Sequence, residues 1–306
     1  MAIVEAQCVI EKERSERADR IVQELTGRSR SDVRGLFDNG CVTLNGEPCQ
    51  EAGLIVKEGD VVVVRHDSHR RYHEKPRARG ENIYRLVFED QHLLVVDKAA
   101  GVLTVPTERG ETITLFDALS KYLRSRNRRG EPSVVHRLDR ATSGLLVFGK
   151  NPQVAKLLQS QFQVRKAERE YAAIVAGNVA QLEGTFASKL ATTKSLQRYS
   201  VREGEEGEDA VTHYKVEQKF RNATFVRAWL ETGRRNQIRV HFAEAGHPVL
   251  GDDRYRSDEA HHPGWNSRRL ALHARVLGFE HPRTGKEMHF ESPLPIEFER
   301  FLANQR

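Results

Sequence analysis

The stretch from Val134 to Gly149 constrains this chain more than any other segment. Two apolar runs, Val134–Val135 and Leu145–Phe148, flank a short polar turn that holds one carboxylate, Asp139. Arg137 and Arg140 stand on either side of it, and Thr142-Ser143-Gly144 follows. Apolar runs bounded by turn residues read as buried strands. The acid is then presented on a loop between two strands, which is how a rigid scaffold offers a reactive group. Neighbouring arginines favour its ionised form. On residue chemistry alone a second reading stands beside this one: a strand-connecting turn whose Asp bonds its own backbone, with solvated arginines.

The rest of the chain sets the frame. Its 306 residues allow one large domain or two and a sizeable core. Charged residues make up 30% and aromatics 7%, as expected of a soluble protein with a heavily charged surface. The net charge of +6 favours a polyanionic partner. Cys8, Cys41 and Cys49 are too few and wrongly spaced for a disulfide framework or a cysteine zinc site. Met1 to Glu5 lack the charged region and apolar run of a secretory signal, and no run approaches a membrane span. The expected location is the cytoplasm, with no membrane contact.

The first 65 residues read as a small domain. Arg17 to Leu25 suits a helix with Ala18, Ile21, Val22 and Leu25 on one face. Ser29-Arg30-Ser31-Asp32 resembles a capping box opening a second helix, with Val33, Leu36 and Phe37 inward and Gly40 at its end. Cys41–Leu44 makes a strand, Asn45-Gly46 a hairpin turn, and Asp60–Val64 a closing strand. Arg17, Arg20, Arg28, Arg30 and Arg34 are either an ordinary solvated face or a phosphate-facing surface. Residues 65–82 carry six arginines and lysines against three acids and read as a basic linker.

From residue 83 the pattern is one long mixed domain. Leu86–Phe88 and Leu93–Val96 read as strands, and Thr114–Leu123 and Pro152–Phe162 as helices. Tyr171–Val175, Ala210–Val216, Thr224–Leu230 and Ile238–Phe242 suit strands, with an acidic loop over Glu203–Asp209. Arg124, Arg126, Arg128 and Arg129 form a dense run just before the Asp139 segment.

His136-Arg137-Leu138-Asp139-Arg140-Ala141-Thr142-Ser143-Gly144-Leu145-Leu146 resembles the signature of the RluA-type pseudouridine synthases. Four further segments follow in that family's order: Asp97-Lys98-Ala99-Ala100-Gly101, Glu168 to Val175, Gly233 to His241 continuing to Asp252, and Arg269 to Pro295. Arg17-Ala18-Asp19, Ser29-Arg30-Ser31, Gly40-Cys41-Val42 and Leu44-Asn45-Gly46 are similar to the S-four-type RNA-binding domain.

The resemblance implies an α+β chain, a large mixed and mostly antiparallel sheet flanked by helices, preceded by a small α+β RNA-binding domain. Its expected bounds are 15–65 for the RNA-binding domain, 66–82 for the linker and 83–306 for the catalytic domain. It implies catalytic roles for Asp139 as nucleophile, Tyr171 against the target base, and Arg239 as the arginine paired with Asp139 and holding it ionised. Arg137, Arg140, Arg30, Arg34, Arg126, Arg128, Arg129, Arg234 and Asn236 are the expected RNA-binding residues. Arg137 is the candidate to brace the stack vacated by a flipped base.

Pseudouridine formation gains and loses no atoms, so no cofactor and no metal are expected. His136, His241 and His247 are read as structural. Lys98 stands between a surface strand-end lysine and a functional one. Arg235-Asn236 departs from the family's usual Thr-His, and Ala99 from its usual Pro. The expected partner is RNA, ribosomal RNA of the large subunit first and transfer RNA second, acted on by a monomer. The rival readings are a non-catalytic RNA-binding or ribosome-assembly factor on the same fold, and an RNA or nucleoside hydrolase. The hydrolase would need a partner acid or a metal, and neither stands at suitable spacing.

Overall fold

The computed structural model describes residues 3–10, 16–49, 52, 54–68, 72, 83–107, 113–127, 130–193, 195–202, 204–265, 267 and 269–304, with only the backbone described at Arg30, Ser31, Arg34 and Asp38. It divides into two compact units, Met1–Glu81 and Asn82–Arg306.

In the first unit, β1 (Ile3–Val9), β2 (Glu16–Arg17), α1 (Ala18–Thr26), α2 (Arg30–Asp38), β3 (Val42–Leu44), β4 (Glu47–Pro48), β5 (Ile55–Val56) and β6 (Val61–Asp67) follow in order. Ala18, Ile21 and Val22 of α1 are buried, and Gly27 ends the helix in the left-handed region at φ 63°. Ser29 caps α2, its side chain accepting from the Asp32 N–H at 3.2 Å. Asn45 and Gly46 both have positive φ, 52° and 85°, as a two-residue hairpin turn of primed type requires.

Four strands form one sheet in the order β1-β6-β3-β4, and the core gathers Ile21, Val22, Val33, Leu36, Phe37, Val42, Val62 and Val64. The unit therefore begins earlier than residue 15, because β1 pairs along β6 from Ile3↔Asp67 to Val9↔Val61. Of the expected linker, His66 and Asp67 continue β6 and Tyr72 joins this core. His69 and His73 lie outside the described residues.

The second unit contains β7 (Tyr84–Glu89), β8 (Leu93–Lys98), α3 (Leu115–Arg126), β9 (Ser133–Val134), β10 (Ser143–Gly149), α4 (Pro152–Gln163), β11 (Glu168–Ala176) and β12 (Glu183–Thr192). It continues with β13 (Arg198–Ser200), β14 (Glu208–Phe220), β15 (Ala223–Leu230), α5 (Gln237–Glu244), β16 (Leu272–Glu280), β17 (Glu287–Glu291) and α6 (Ile296–Asn304). One sheet runs β13-β12-β14-β15-β11-β16-β10-β8-β7, with β17 on β16 and β9 on β10. Its pairs are antiparallel except β10 with β16.

Every residue of β10 is buried, which is why its sequence is a continuous apolar run rather than an alternation. Leu145 and Val147 pack with Val154 and Leu158 of α4. Leu146 and Phe148 belong to the larger core that includes Leu115, Leu119 and Leu123 of α3. β8 divides in the same way, Leu93 and Val95 to one core, Leu94 and Val96 to the other. Both strands are thus fixed on two faces, and they hold the segment that connects β9 to β10.

One expected element differs from this fold, and two strands, β1 and β12, carry no signal in the sequence. Ile238–Phe242, read as a strand, lies in α5, whose residues Gln237 to Ala243 are all buried. A helix covered all round shows no polar face, so its period disappears, and the apolar Ile238, Val240 and Phe242 imitate a strand. β1 and β12 were not anticipated. They are largely exposed or half-buried and lack the apolar runs that marked the central strands.

Gly144 adopts φ +115° where β10 meets Ala274 of β16, and a Cβ there would lie 2.1 Å from the Ala274 carbonyl oxygen. Gly144→Ala is expected to lower the unfolding free energy by about 3 kcal/mol, since strain and backbone overlap both have to be relieved. Urea unfolding measures this. Wild-type stability in the variant would contradict the close approach.

Candidate active site

Asp139 lies on the segment between β9 and β10 and is held by its two neighbours. Thr104, buried, donates through Oγ1 to the Leu138 carbonyl at 2.9 Å and accepts from the Leu138 N–H at 3.2 Å. On the other side, the Arg140 carbonyl accepts from the Gly101 N–H at 2.8 Å and from Lys98 Nζ at 3.3 Å. The Thr142 N–H turns back to the Asp139 carbonyl at 3.1 Å. The residues before and after the acid are therefore pinned by one loop, the one that follows β8.

Lys98 ends β8 with no exposed surface. Besides Arg140, its Nζ donates to the carbonyls of Ala99 at 2.9 Å and Val102 at 2.8 Å. Three donors meet three backbone acceptors, the full capacity of an ammonium. Burial pulls its pKa down to about 7, opposed by Asp139 and Asp97 and reinforced by Arg269. Lys98 is not a surface residue.

His136 is also structural. Its Nε2 accepts from the Val147 N–H at 3.2 Å and its ring stacks on Phe162 at 4.5 Å between centroids. Burial, then Arg169, lower its pKa to about 3, so it is neutral and free to accept.

Arg239 approaches from α5. Asn236 precedes this helix in the left-handed region, at φ 56°. The Arg239 fork grips Asp252, Nε to Oδ2 and Nη2 to Oδ1, both at 2.7 Å, and its guanidinium lies over the Tyr255 ring at 5.1 Å. Asp252, whose side chain has no exposed surface, also accepts the N–H groups of Arg254 at 2.9 Å and Tyr255 at 3.0 Å. Asn236 closes the network, accepting from Arg239 Nη1 at 3.2 Å and donating to the Tyr255 hydroxyl at 3.0 Å. Burial opposes the charge of Arg239 most, but the bond to Asp252 and the charges of Asp252 and Asp139 together outweigh it and raise its pKa.

The pairing expected between Arg239 and Asp139 is corrected here: the fork goes to Asp252, and the Arg239 charge acts on Asp139 without an ion-pair contact. Burial raises the Asp139 pKa above the usual carboxylate value. Arg239, the Asn236 N–H, Lys98 and Arg235 oppose that shift without cancelling it. Arg239 and Arg235 favour the ionised form of this acid, as neighbouring arginines are expected to, while burial acts against it.

Tyr171 on β11 is buried. Burial first, and the Asp139 charge as well, raise its pKa, while Arg169 opposes, so its hydroxyl keeps its proton. Lys98, Arg239 and Tyr171 thus each feel the charge of Asp139.

The other expected residues divide. Arg137 is exposed beside Asp139, and no ion pair holds it among the described residues. Arg140 is exposed and contributes its carbonyl to the Lys98 clamp. Arg126 lies over the Tyr122 ring and 3.7 Å from Glu89, and Arg234 pairs with Glu208 at 2.9 Å. Asn236 is corrected as an RNA contact: it is buried, and both ends of its amide are used inside the protein. Arg128, Arg129 and the side chains of Arg30 and Arg34 lie outside the described residues.

His241 bonds Thr212 and Ser188, and His247 the Ala176 carbonyl. Sequence reading missed Thr104, Asp252 and Tyr255. The last two follow closely on Gly246–Gly251, a spacing that signals their place only once the helix at Arg239 is known.

The family model for RNA pseudouridylate synthases matches residues 92–244, and that for the S4 domain residues 16–62. The chain is 34% identical over 300 residues to the "Uncharacterized RNA pseudouridine synthase YlyB" of Bacillus subtilis, covering 97% of this chain and 96% of that one. It is 36% identical over 294 residues to the ribosomal large subunit pseudouridine synthase D of Zymomonas mobilis, covering 92% of each. Among solved structures, human RNA pseudouridylate synthase domain containing 4 superposes with a TM-score of 0.61 at 22% identity, over 72% of this chain and 92% of that one, a likeness of fold. The RNA pseudouridylate synthase match, preceded by an S4 domain, defines an RNA-modifying isomerase. The chain belongs to the RNA pseudouridylate synthase family.

The raised pKa of Asp139 has a consequence for stability. A group that binds its proton more tightly in the folded state stabilises it fully below the unfolded pKa and loses that contribution as pH rises through the folded one. Wild type therefore carries a penalty at neutral pH that Asp139→Asn lacks. Thermal unfolding should show the variant melting higher at neutral pH, with the gap closing on acidification through the carboxylate range. Equal melting at every pH, or a gap that opens in acid, would count against the buried carboxylate.

Proposed function

We propose that this enzyme isomerises specific uridines of large-subunit ribosomal RNA with Asp139 as the nucleophile. The observation that carries the reading is one carboxylate fixed between two pinned residues, with its pKa raised by burial, in the combined field of Arg239, Lys98 and Arg235. The substrate class is suggested by relatives named as ribosomal large subunit pseudouridine synthases.

The reaction breaks the bond between N1 of uracil and C1′ of ribose, turns the base and joins C5 to C1′. The C5 proton leaves to solvent and N1 gains one, so atoms balance with no outside oxidant or reductant. The base must first leave its stack, at a cost of a few kcal/mol. Arg137, exposed beside Asp139, is placed to brace the gap. Asp139 reacts in its ionised form, and burial makes that form a stronger base and nucleophile than a solvated carboxylate. Tyr171 offers its ring to the base and stays protonated. Arg239, oriented by Asp252, supplies positive charge as Asp139 engages the nucleotide.

The test is a chemical map of pseudouridines in total RNA from cells lacking the protein, rescued with wild type or with Asp139→Asn. The expected result is a site in large-subunit ribosomal RNA lost on deletion and restored by wild type alone. Restoration by the variant would remove Asp139 from its role. A lost site in transfer RNA would move the substrate.

A further inference from the structure

Two arginines outside the buried network converge on one point. The hairpin between β12 and β13 is closed by the Thr193 N–H to the Gln197 carbonyl at 2.8 Å and the Leu196 N–H to the Thr193 carbonyl at 2.9 Å. Leu196 sits there in the left-handed region, φ 62°, with its side chain 53% exposed. Its carbonyl receives Arg235 Nη2 at 2.8 Å and Arg254 Nη1 at 3.5 Å. Gln197 ties the turn to the same place, Nε2 to the Arg254 carbonyl at 3.4 Å. Both arginines are exposed, and neither pairs with a carboxylate among the described residues. Asp253, the acid between Asp252 and Arg254, points instead at Arg239 Nη2, 3.6 Å away.

These two guanidiniums stand at the two ends of the Arg239 network. Arg235 immediately precedes Asn236, and its own charge reaches Asp139. Arg254 follows Asp252 by two residues, and its N–H bonds that carboxylate. Each spends one N–H on the shared carbonyl and keeps the rest of its fork. Two like charges held together without a carboxylate partner among the described residues, beside a reacting carboxylate, are an arrangement that an arriving anion completes. Other arginines named above differ: Arg234 and Arg126 already have carboxylates.

We propose that Arg235 and Arg254, latched together on the Leu196 carbonyl, are the clamp for a backbone phosphate of the RNA strand flanking the nucleotide at Asp139. This deepens the proposed function and rests on its reading of Asp139 as the reacting group. It gives Arg235 a role of its own in this chain, at one of the three positions where the chain departs from the family pattern.

Arg235→Gln, Arg254→Gln, the double variant and Arg235→Lys test it, with unmodified large-subunit ribosomal RNA transcribed in vitro as probe. The RNA dissociation constant is measured across a salt series, with the single-turnover rate at saturating enzyme over a range of pH and the melting temperature. A clamp predicts about a tenfold rise in the dissociation constant per Gln variant and a salt slope shallower by about one for each arginine removed. Arg235→Lys recovers part of the affinity, because lysine still meets phosphate as a point charge. For Arg254→Gln the loss falls on affinity rather than on the saturating rate, Arg235→Gln also displaces the pH–rate profile because its charge reaches Asp139, and melting is unchanged in both.

A salt slope and affinity unchanged in both Gln variants would overturn the proposal, leaving Arg235 only its effect on Asp139. Lower melting with unchanged affinity would overturn it too, leaving a structural latch. Binding with the expected slopes but no turnover by wild type would keep the clamp and fault the proposed substrate instead.

Discussion

The ammonium of Lys98 is the point on which the site is built. A cation taken wholly out of water costs several kcal/mol unless all its donors are met and a counter-charge is near. Lys98 meets that demand with the carbonyls of Ala99, Val102 and Arg140 and with the fields of Asp139 and Asp97. Two of those carbonyls belong to the loop after β8 and the third to the segment carrying Asp139, so satisfying one buried charge fixes two loops against each other. Thr104 adds its reciprocal bond to Leu138. The acid between Leu138 and Arg140 has little freedom left, and its position is inherited from β8 and β10, strands packed on both faces.

A second constraint decides how that acid behaves. Had Arg239 forked onto Asp139 directly, the carboxylate would be neutralised and held well below the usual range. Asp252 takes the fork instead, supported by the backbone N–H groups of Arg254 and Tyr255. Arg239 is therefore fixed in place by a partner that does not react, and Asp139 feels its charge from beyond contact. Burial then prevails and leaves a carboxylate more basic than one in water, which suits the nucleophilic role proposed for it.

The sequence carries the parts of this design that have local signatures. The β9–β10 segment, the capped helix after Ser29 and the Asn45-Gly46 turn can be read because apolar runs, caps and turn residues act over a few positions. Lys98 could not be placed, since nothing local separates a lysine at a strand's exposed end from one folded beneath a loop. Arg239 was expected to meet Asp139, while its fork belongs to Asp252, thirteen residues on in a turn whose geometry depends on α5. That helix is itself hidden by complete burial. Asn236 shows the same limit: its amide types as an RNA contact, but its left-handed backbone at the helix start places it inside.

The central claim is that a protein carboxylate, Asp139, carries out the isomerisation. Uridine joined to ribose through C5 must give up the hydrogen at that carbon. Unmodified large-subunit ribosomal RNA labelled with tritium at uridine C5 reads the reaction directly through release of label to water. Wild type is predicted to release tritium up to a whole-number stoichiometry per RNA, and Asp139→Asn, matched in RNA binding, to release none. Release by the variant at a comparable rate would contradict the account.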